Sequence, residues 1–346
     1  MVKMKDVAVR AGVSIATVSN VITGKRTVSP EVQKAVLQAI SDLDYHVNMV
    51  ARGLKTQRTY TIGVVLPDVT KLFFNDVLKG IMTAAAENGY SINILSSGYD
   101  FELEKKMVAI LRGNSVDAII LDSCVDYLEA EKWGAELVEL TKDIPIVSLE
   151  NRLGEQISSL SLDCCYWSAQ ITRHLIEQGR RKIFYISGPL SLRHEQDRLE
   201  GYKSALEEQG IAVDEQRIVA RDFQSGSAYN AVRKVLEQGL EFDAIQASND
   251  QAAIGAIKAL MEQGIAVPDR VAVTGFDNLF PSSLIDPAIT TVHVHRYTMG
   301  YEAVLECLRR INDPEAKPRQ KTMEADLVIR GSSSPQVKTE WDLDNW

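Results

Sequence analysis

Residues 4–22 read MKDVAVRAGVSIATVSNVI, and this stretch decides how the first part of the chain folds. Its apolar residues recur at helical spacing on both sides of Gly12, so that two short helices can bury a seam between them. The seam residues are Val7, Ala8, Ala11, Val13, Val18 and Val21. Ser14 is placed to cap the second helix by accepting a hydrogen bond from an amide of its first turn. The pattern predicts a helix-turn-helix.

A third helix is predicted after this motif. Ser29 provides an N-cap and Pro30 occupies the first helical position. The apolar face of this helix comprises Val32, Val36, Ile40 and Leu43. Residues 48–56 (NMVARGLKT) are too short for a stable isolated helix, because nucleation is costly and Gly53 weakens the helix by roughly 1 kcal/mol. We expect this segment to become helical only against a partner.

Charge is distributed unevenly along the 346 residues, whose formal net charge is -9. Residues 1–58 hold nine Lys or Arg against four Asp or Glu, whereas the remaining residues hold 29 against 43. A basic head on an acidic body directs the head toward phosphates. No apolar run is long enough for a membrane span or a signal peptide, which predicts a cytoplasmic protein. The four cysteines and five histidines lack metal-ligand spacing, so we expect neither a metal nor a cofactor.

After residue 58 the sequence alternates strands with amphipathic helices. Residues 61–66 form a continuous apolar run that is typical of a buried parallel strand. Further strands are predicted at residues 92–95, 118–122, 144–149, 183–187, 244–248 and 271–276. Five helices end in Glu-Asn-Gly or Glu-Gln-Gly, and the glycines of these ends, Gly89, Gly179, Gly210, Gly239 and Gly264, predict left-handed caps. The alternation predicts an α/β core of two doubly wound parallel-sheet subdomains, with residues 151–161 as a polar break between them.

With these motifs the chain resembles the LacI family of bacterial transcription regulators. The matching segments are Lys5-Asp6-Val7-Ala8, Ala11-Gly12-Val13-Ser14, Thr17-Val18-Ser19, Val28-Ser29 and Asn48 to Leu54, and the resemblance covers residues 2 to about 331. It implies a DNA-binding domain at 1–58 with a hinge helix at about 48–56, and an effector-binding and dimerisation core at 59–346. The core would resemble periplasmic sugar-binding proteins, with an N-terminal subdomain at about 60–160 and 293–323, a C-terminal subdomain at about 161–292 and 324–332, and a flexible tail at 333–346.

The second helix is the expected recognition helix, because such helices place their N-terminal residues at base edges in the major groove. Asn20 can pair with adenine, and Ile15 and Ala16 suit a thymine methyl group, although Ala16 can simply permit close approach. The residues expected to hold phosphates or complete this contact are Ser14, Thr17 and Ser19. The resemblance adds Arg26, for which general phosphate attraction is an equal explanation, together with Leu54 and Lys55. In the family the leucine wedges into the minor groove of a near-palindromic operator bound by a dimer.

Ligands of open parallel sheets bind beyond the carboxyl ends of the strands. In this chain those ends carry carboxylates, amides and an aromatic residue, a set that suits a polyhydroxylated ligand. The strand ends predict Asp122 and Glu150 as contacts, and the resemblance implies Phe73, Phe74, Arg198, Phe223, Asn249 and Asp277. Structural roles compete with these assignments, because Asp277 can cap a turn, Asn249 can cap a helix and Phe74 can pack in a core.

The expected effector is a sugar or a sugar phosphate, and Arg152 or Arg193 can serve the phosphate. Leu192 and His194 do not repeat the purine-binding version of the family, which argues against a nucleobase. A regulator controlled by a protein corepressor stays open, and a degraded cleft would favour it. A carbohydrate-active enzyme is the alternative from another class, with Glu150 and Asp277 across the cleft as acid and base. No nucleophile motif, glycine-rich phosphate loop or metal triad accompanies that pair.

Overall fold

The computed structural model describes residues 2–23, 27–45, 58–142 and 144–337. By its internal contacts the chain divides into two units, Met1–Tyr60 and Thr61–Trp346. None of the helices in the described ranges combines the length and the apolar character that crossing a bilayer requires.

The first unit is helical. Its described helices are α1 (Met4–Ala11), α2 (Ile15–Thr23) and α3 (Pro30–Asp42). Val7, Val18 and Val36 contribute one fully buried side chain from each helix, and the remaining predicted seam residues pack around them. The predicted helix-turn-helix and its third helix are therefore confirmed.

Local hydrogen bonds set where these helices begin and end. Gly12 ends α1 in the left-handed conformation, with φ of 66°. Ser14 Oγ accepts a hydrogen bond from the Thr17 amide at 3.0 Å, and Ser29 Oγ accepts one from the Val32 amide at 3.4 Å. Both serines act as the caps that the sequence predicts.

The second unit alternates strands and helices. In chain order its elements are β1 (Thr61–Leu66), α4 (Leu72–Glu87), β2 (Ser91–Ser96), α5 (Phe101–Gly113), β3 (Ala118–Asp122), α6 (Ala130–Thr141), β4 (Ile146–Leu149), β5 (Ser158–Leu162), α7 (Cys164–Glu177), β6 (Ile183–Ser187), α8 (Arg193–Glu208), β7 (Ile218–Ala220), α9 (Ser225–Glu237), β8 (Ala244–Ala247), α10 (Asp250–Glu262), β9 (Ala272–Thr274), α11 (Pro281–Leu284), β10 (Thr291–Val294), α12 (Arg296–Asn312), β11 (Gln320–Met323) and β12 (Ala325–Val328). Two short 3₁₀ helices lie at Tyr127–Glu129 and Glu215–Arg217.

Two parallel sheets organise this unit. The first has the order β11-β5-β4-β3-β1-β2, and the second has the order β7-β6-β8-β9. Helices α4 and α12 cover one face of the first sheet, and α5 and α6 cover the other. The second sheet lies between α7 with α8 and α9 with α10. The predicted fold class, two doubly wound α/β halves after an all-α head, is confirmed.

Glycine ends the five helices that share the repeated motif. Gly89, Gly179, Gly210, Gly239 and Gly264 all have φ between 65° and 85°. This is the left-handed region that a side chain disfavours. The predicted caps are confirmed.

The chain passes between the halves of the core along a separate two-stranded ladder. β10 pairs with β12 in antiparallel register, with Thr291 opposite Val328. The helix that follows β10 packs on the first sheet, and β11 joins that sheet beside β5. We call the part built on the first sheet the N-half and the part built on the second sheet the C-half.

The prediction of a polar break at 151–161 is wrong at its C-terminal end, because β5 begins at Ser158. The strand is polar, yet Ser158 and Ser159 are buried and bonded within the protein. Ser158 Oγ donates to Glu306 Oε1 at 2.7 Å, and Ser159 Oγ bonds the side chain of Gln320. These partners satisfy the hydroxyl groups, so the strand can be buried without an apolar run.

A flexible tail beginning at residue 333 does not agree with the structure. Ser333 is 1% exposed, and its Oγ lies 2.6 Å from Thr290 Oγ1 and 2.8 Å from His174 Nε2. Both partners belong to the C-half, so the packed core continues through Ser333. Residues 338–346 lie outside the described residues.

Candidate functional site

A cavity lies at the carboxyl ends of the strands, between the N-half and the C-half. Its empty space is about 630 Å³, with the open mouth included. All eight predicted effector contacts line it: Phe73, Phe74, Asp122, Glu150, Arg198, Phe223, Asn249 and Asp277. Lining residues outside the predicted set include Lys71, Tyr99, Ser123, Cys124, Gln251 and Leu279. Residues from both sheets therefore converge on one space.

Arg198 holds the centre of this site. It lies on α8 and is 4% exposed. Its Nη1 donates to Glu195 Oε1 at 2.9 Å and to the Ser248 carbonyl at 2.7 Å, and its Nη2 lies 3.6 Å from Asp277 Oδ1. The guanidinium also stacks on the Phe276 ring at 3.9 Å. Contacts on several sides fix its orientation toward the cavity.

Glu195, which the sequence analysis did not single out, anchors Arg198 from behind. It is fully buried, and its Oε2 accepts a hydrogen bond from the Gly188 amide at 2.6 Å. Burial raises the pKa of Glu195, and the adjacent Arg198 opposes that shift. A Cβ atom on Gly188 would lie 2.4 Å from Phe223 Cε1. The glycine thus leaves room for the Phe223 ring to enter the site.

Four buried polar atoms among the described lining residues have no hydrogen-bond partner. They are Glu150 Oε1, His194 Nδ1, Arg198 Nε and Asp277 Oδ1. Buried polar groups in proteins are nearly always hydrogen bonded. Their convergence on one cavity indicates a ligand that supplies the missing partners.

The backbone of the site is strained at three lining residues. Tyr99, Glu150 and Asp277 have φ of 62°, 60° and 98°. Each such conformation costs on the order of 1–3 kcal/mol for a residue with a side chain, and such residues concentrate at ligand sites. Their left-handed backbones aim three polar side chains into the cavity.

Burial shifts the ionisation of the cavity groups toward their neutral forms. It raises the pKa of Glu150 to about 7, where Arg198 opposes the shift and Asp277 adds to it. The pKa of Asp122 is raised well above its ordinary value by burial and by the nearby Glu150. Burial and Arg198 lower the pKa of His194 to about 3, so its ring is neutral at physiological pH.

We expect Glu150→Gln to flatten the pH dependence of stability between about pH 4.5 and about pH 7. In this window the folded protein keeps a proton on Glu150 that the unfolded chain has released, since the pKa of Glu150 rises from 4.5 to about 7 on folding. Stability contributed at this site therefore falls as pH rises. The glutamine has no proton to lose, so the variant should gain on the wild type as pH rises, as measured by urea unfolding across pH 4–8. An identical pH profile for both proteins would contradict this.

Aromatic rings form a wall of the cavity. The Phe223 ring lies 6.3 Å from Tyr99 and 6.1 Å from His194, centroid to centroid. Phe73 and Phe74 meet edge to face at 5.2 Å. Such rings can cover the C–H faces of a ligand.

Two of the competing structural roles also hold. Asn249 Oδ1 caps α10 by accepting from the Ala252 amide at 2.7 Å, and Phe74 is 5% exposed within a core cluster that contains residues of both halves. Asp277 differs, because its Oδ1 has no hydrogen-bond partner among the described residues. The asparagine and phenylalanine thus serve the fold while also lining the cavity.

The arginines considered for a phosphate do not line this cavity. Arg152 is paired with Glu155, and Arg193 Nε lies 2.8 Å from Asp197 Oδ1. Both arginine side chains are 56% exposed. They border a neighbouring groove on the far side of Glu150.

In the first unit, α2 presents an uncovered N-terminal face. Ile15 is 49% exposed, and Ala16 beside it is also exposed. Ser14 Oγ lies 2.9 Å from Thr17 Oγ1, which orders the first turn. The half-buried predicted contacts are Thr17, Ser19 and Asn20. Arg26, Leu54, Lys55 and the predicted hinge helix at 48–56 lie outside the described residues.

Known proteins match both units. Residues 3–48 match the family described as bacterial regulatory proteins, lacI family, and residues 172–333 match a periplasmic binding protein-like domain. The chain is 32% identical to the ribose operon repressor of Halalkalibacterium halodurans, over 98% of this chain and 99% of that protein. It is 33% identical to the HTH-type transcriptional repressor PurR of Vibrio atlanticus, over 96% of this chain and 98% of that protein.

A solved structure extends the match across nearly the whole chain. The lac repressor dimer bound to operator and the anti-inducer ONPF has a TM-score of 0.83 at 25% identity, covering 96% of this chain and 99% of that chain. The relatives of this chain are transcriptional regulators, and this excludes the carbohydrate-active enzyme. The chain belongs to the lacI family of bacterial regulatory proteins and is a DNA-binding transcriptional regulator.

Proposed function

We propose that this regulator is a cytoplasmic repressor that binds a near-palindromic operator as a homodimer and is controlled by an uncharged sugar held in the cavity. The observation that carries the proposal is a set of buried polar atoms, on Glu150, His194, Arg198 and Asp277, that have no hydrogen-bond partner among the described residues. The following paragraphs give the reasons for the sugar, for its lack of charge and for the dimer.

The cavity offers more acceptors than donors. Asp122, Glu150 and Asp277 provide carboxyl oxygens, whereas Arg198 is the sole arginine among the described lining residues. Sugar hydroxyl groups can donate to these oxygens and accept from the guanidinium. The aromatic wall around Phe223 suits the C–H face of a sugar ring.

An uncharged ligand fits the electrostatics better than a phosphate ester. Three acidic side chains line the cavity against Arg198 and the half-buried Lys71. Arg198 is already bonded to Glu195, so the two cations among the described lining residues are not both available to a phosphate. Carboxyl groups that burial keeps protonated give a phosphate no countercharge, and any that ionise would repel it in a poorly hydrated space. We therefore favour the sugar over the sugar phosphate.

Control by a small molecule is also favoured over control by a protein corepressor. A cleft without a ligand has no need of four buried atoms that lack a hydrogen bond, or of strained residues such as Glu150 and Asp277. The name of the ribose operon repressor among the relatives agrees with a sugar. A nucleobase, the ligand of the purine-binding version of the family, is the chief competitor for the same cavity.

Operator binding is assigned to the N-terminal face of α2. We propose base contacts for Ile15, Ala16 and Asn20, and phosphate contacts for the hydroxyl residues Ser14, Thr17 and Ser19. Arg26, Leu54 and Lys55 complete the proposed DNA contacts. One such helix reads few base pairs, and a two-fold dimer doubles them. The related lac repressor structure is a dimer on its operator.

A ligand panel tests the proposed effector. Thermal unfolding is recorded with neutral pentoses, hexoses and disaccharides, with their phosphate esters and with purine bases. A binding sugar should stabilise the protein by about 2.7 kcal/mol at a concentration of one hundred times Kd. The corresponding phosphate ester should give no shift.

The same sugar must then change DNA binding. Operator sequences are selected from a random-sequence pool with the purified full-length protein, and their affinity is measured with and without the sugar. A change of about fivefold or more is expected for an allosteric effector. Stabilisation by phosphate esters or by purine bases alone would overturn the proposal of a neutral sugar.

A further inference from the structure

Arg296 lies next to the cavity residue Asp277, at the junction of the two halves of the core. It is 6% exposed, and it begins α12. Toward the N-half, its Nη2 and Nε donate to Asp76 Oδ2 at 2.7 and 3.2 Å. Toward the C-half, it donates to the backbone carbonyls of Asp277 and Asn278, the latter at 3.3 Å. One guanidinium is therefore bonded to both halves.

The N-half side of this link is rigid. Helices α4 and α12 cross with their backbones in close contact, because a Cβ on Gly80 would lie 2.0 Å from the Tyr297 carbonyl oxygen. A Cβ on Gly300 would likewise lie 2.0 Å from the Val77 carbonyl oxygen. Asp76 and Arg296 flank this crossing. Their ion pair therefore joins two helices that cannot easily slide past each other.

The C-half side is the strained loop that carries a cavity residue. Asp277 and Asn278 both have positive φ, 98° and 52°, and two consecutive residues of this kind need support from their surroundings. Asp250 Oδ2 supports the loop from within the C-half by accepting from the Leu279 amide at 2.6 Å. Arg296 supports it from the other half by binding its carbonyl oxygens.

We infer that Arg296 is a positioning residue that ties the N-half to the C-half and sets the direction of the Asp277 carboxylate in the cavity. The inference rests on the proposed function only in taking Asp277 as an effector contact. It identifies a single side chain that connects the effector loop to helix α4. Arg296 carries no motif of its own, and its role becomes visible only when both halves are assembled.

A second hydrogen bond between the N-half and the C-half reports directly on whether the two halves stay in contact. The Tyr127 amide of the N-half donates to the Ser191 carbonyl of the C-half at 2.9 Å. Hydrogen exchange of this amide requires that bond to open. The Asp277 amide, which donates to the Val292 carbonyl at 3.0 Å, reports on the loop itself.

The test compares hydrogen exchange in the ligand-free, full-length wild type with that in Arg296→Gln and Asp76→Asn. The second variant removes the ion pair but leaves the arginine, and its side chain is half exposed, so folding should be preserved. Exchange of the Tyr127 and Asp277 amides should be about tenfold faster or more in Arg296→Gln, which loses the charged bonds to both halves. The acceleration should be smaller, about two- to fivefold, in Asp76→Asn, because Asp76 is half exposed and solvent screens its ion pair. Amides in the middle of α9 should keep their wild-type rates.

Arg330→Gln is the matched control. Arg330 also binds the same loop, donating to Asn278 Oδ1 at 2.7 Å and to the Ile289 carbonyl at 3.0 Å, but these partners lie within the C-half. Its loss should leave the Tyr127 amide at the wild-type rate. Two results would overturn the inference. One is wild-type exchange of the Tyr127 amide in both test variants, and the other is an equal acceleration of that amide in the control. Because the measurement needs no ligand, its result is independent of the sugar panel.

Discussion

Arg198→Met is expected to abolish sugar binding and leave operator affinity in the absence of sugar unchanged. The variant removes every donor that the guanidinium offers to the ligand. Each charge-assisted hydrogen bond is worth about 1.5–3 kcal/mol, so Kd should rise by about a hundredfold or more. Calorimetric titration of the sugar identified in the panel, beside operator titration, measures the two affinities. The contacts proposed for DNA lie in the other unit of the chain, which the substitution does not touch.

The same substitution should lower stability by about 3–5 kcal/mol, because it leaves buried carboxylates without their countercharge. Glu195 and Asp277 face Arg198 at 2.9 and 3.6 Å, and Glu150 also feels its charge. Arg198 lowers the pKa of each of these groups against the effect of burial, so its loss should raise all three pKa values further. Protonation removes the unpaired charge, and the deficit should shrink as pH falls from 8 toward 5.

Arg173→Met provides the matched control for this prediction. Arg173 forms a bidentate pair with Glu208 between the neighbouring helices α7 and α8, but both side chains are partly exposed. An exposed pair contributes about 1 kcal/mol or less. The control should therefore keep sugar affinity and nearly all stability. Retained sugar binding in Arg198→Met would remove this residue from the proposed site.

Sequence was sufficient for the features that depend on local chemistry. The apolar run at 61–66, the Ser14 cap and the glycine helix ends each follow from the residues within one element. β5 was missed for the opposite reason, since the partner of Ser158 is Glu306, 148 residues later. No local pattern reports such a bond.

The residues of the candidate site also fall into two groups, those that a local pattern predicts and those that depend on distant partners. Residues at strand ends, such as Asp122 and Glu150, were predictable because parallel strands all point their carboxyl ends to one edge. Tyr99 lies in the loop beyond β2, and its ring meets Phe223 of the other half, a contact that no local pattern reports. Glu195 was missed because its role exists only through Arg198, one turn away on α8.

Gly201→Ala should disturb the site without changing any lining residue. A Cβ at Gly201 would lie 2.1 Å from the Cys165 carbonyl oxygen and 3.0 Å from the Ala169 amide nitrogen. The methyl group must therefore push α8 away from α7. Arg198 lies three residues earlier on α8, and its carbonyl accepts a 2.6 Å hydrogen bond from Ser168 Oγ on α7. Separating the helices breaks this bond and moves the guanidinium.

The expected loss is about 2 kcal/mol of unfolding free energy, within the usual cost of overpacking, and about a tenfold rise in the Kd of the sugar. Urea unfolding and calorimetric titration measure these quantities. Gly226→Ala on α9 is the control, because its Cβ would meet no atom within 4 Å. That change should stabilise the protein by about 0.4–1 kcal/mol through the unfolded chain and leave sugar affinity intact. Wild-type stability in Gly201→Ala would contradict the first expectation and show that the contact between α7 and α8 yields easily. Unchanged sugar affinity in a destabilised Gly201→Ala variant would contradict the second and show that Glu195 and Ser248 alone hold Arg198.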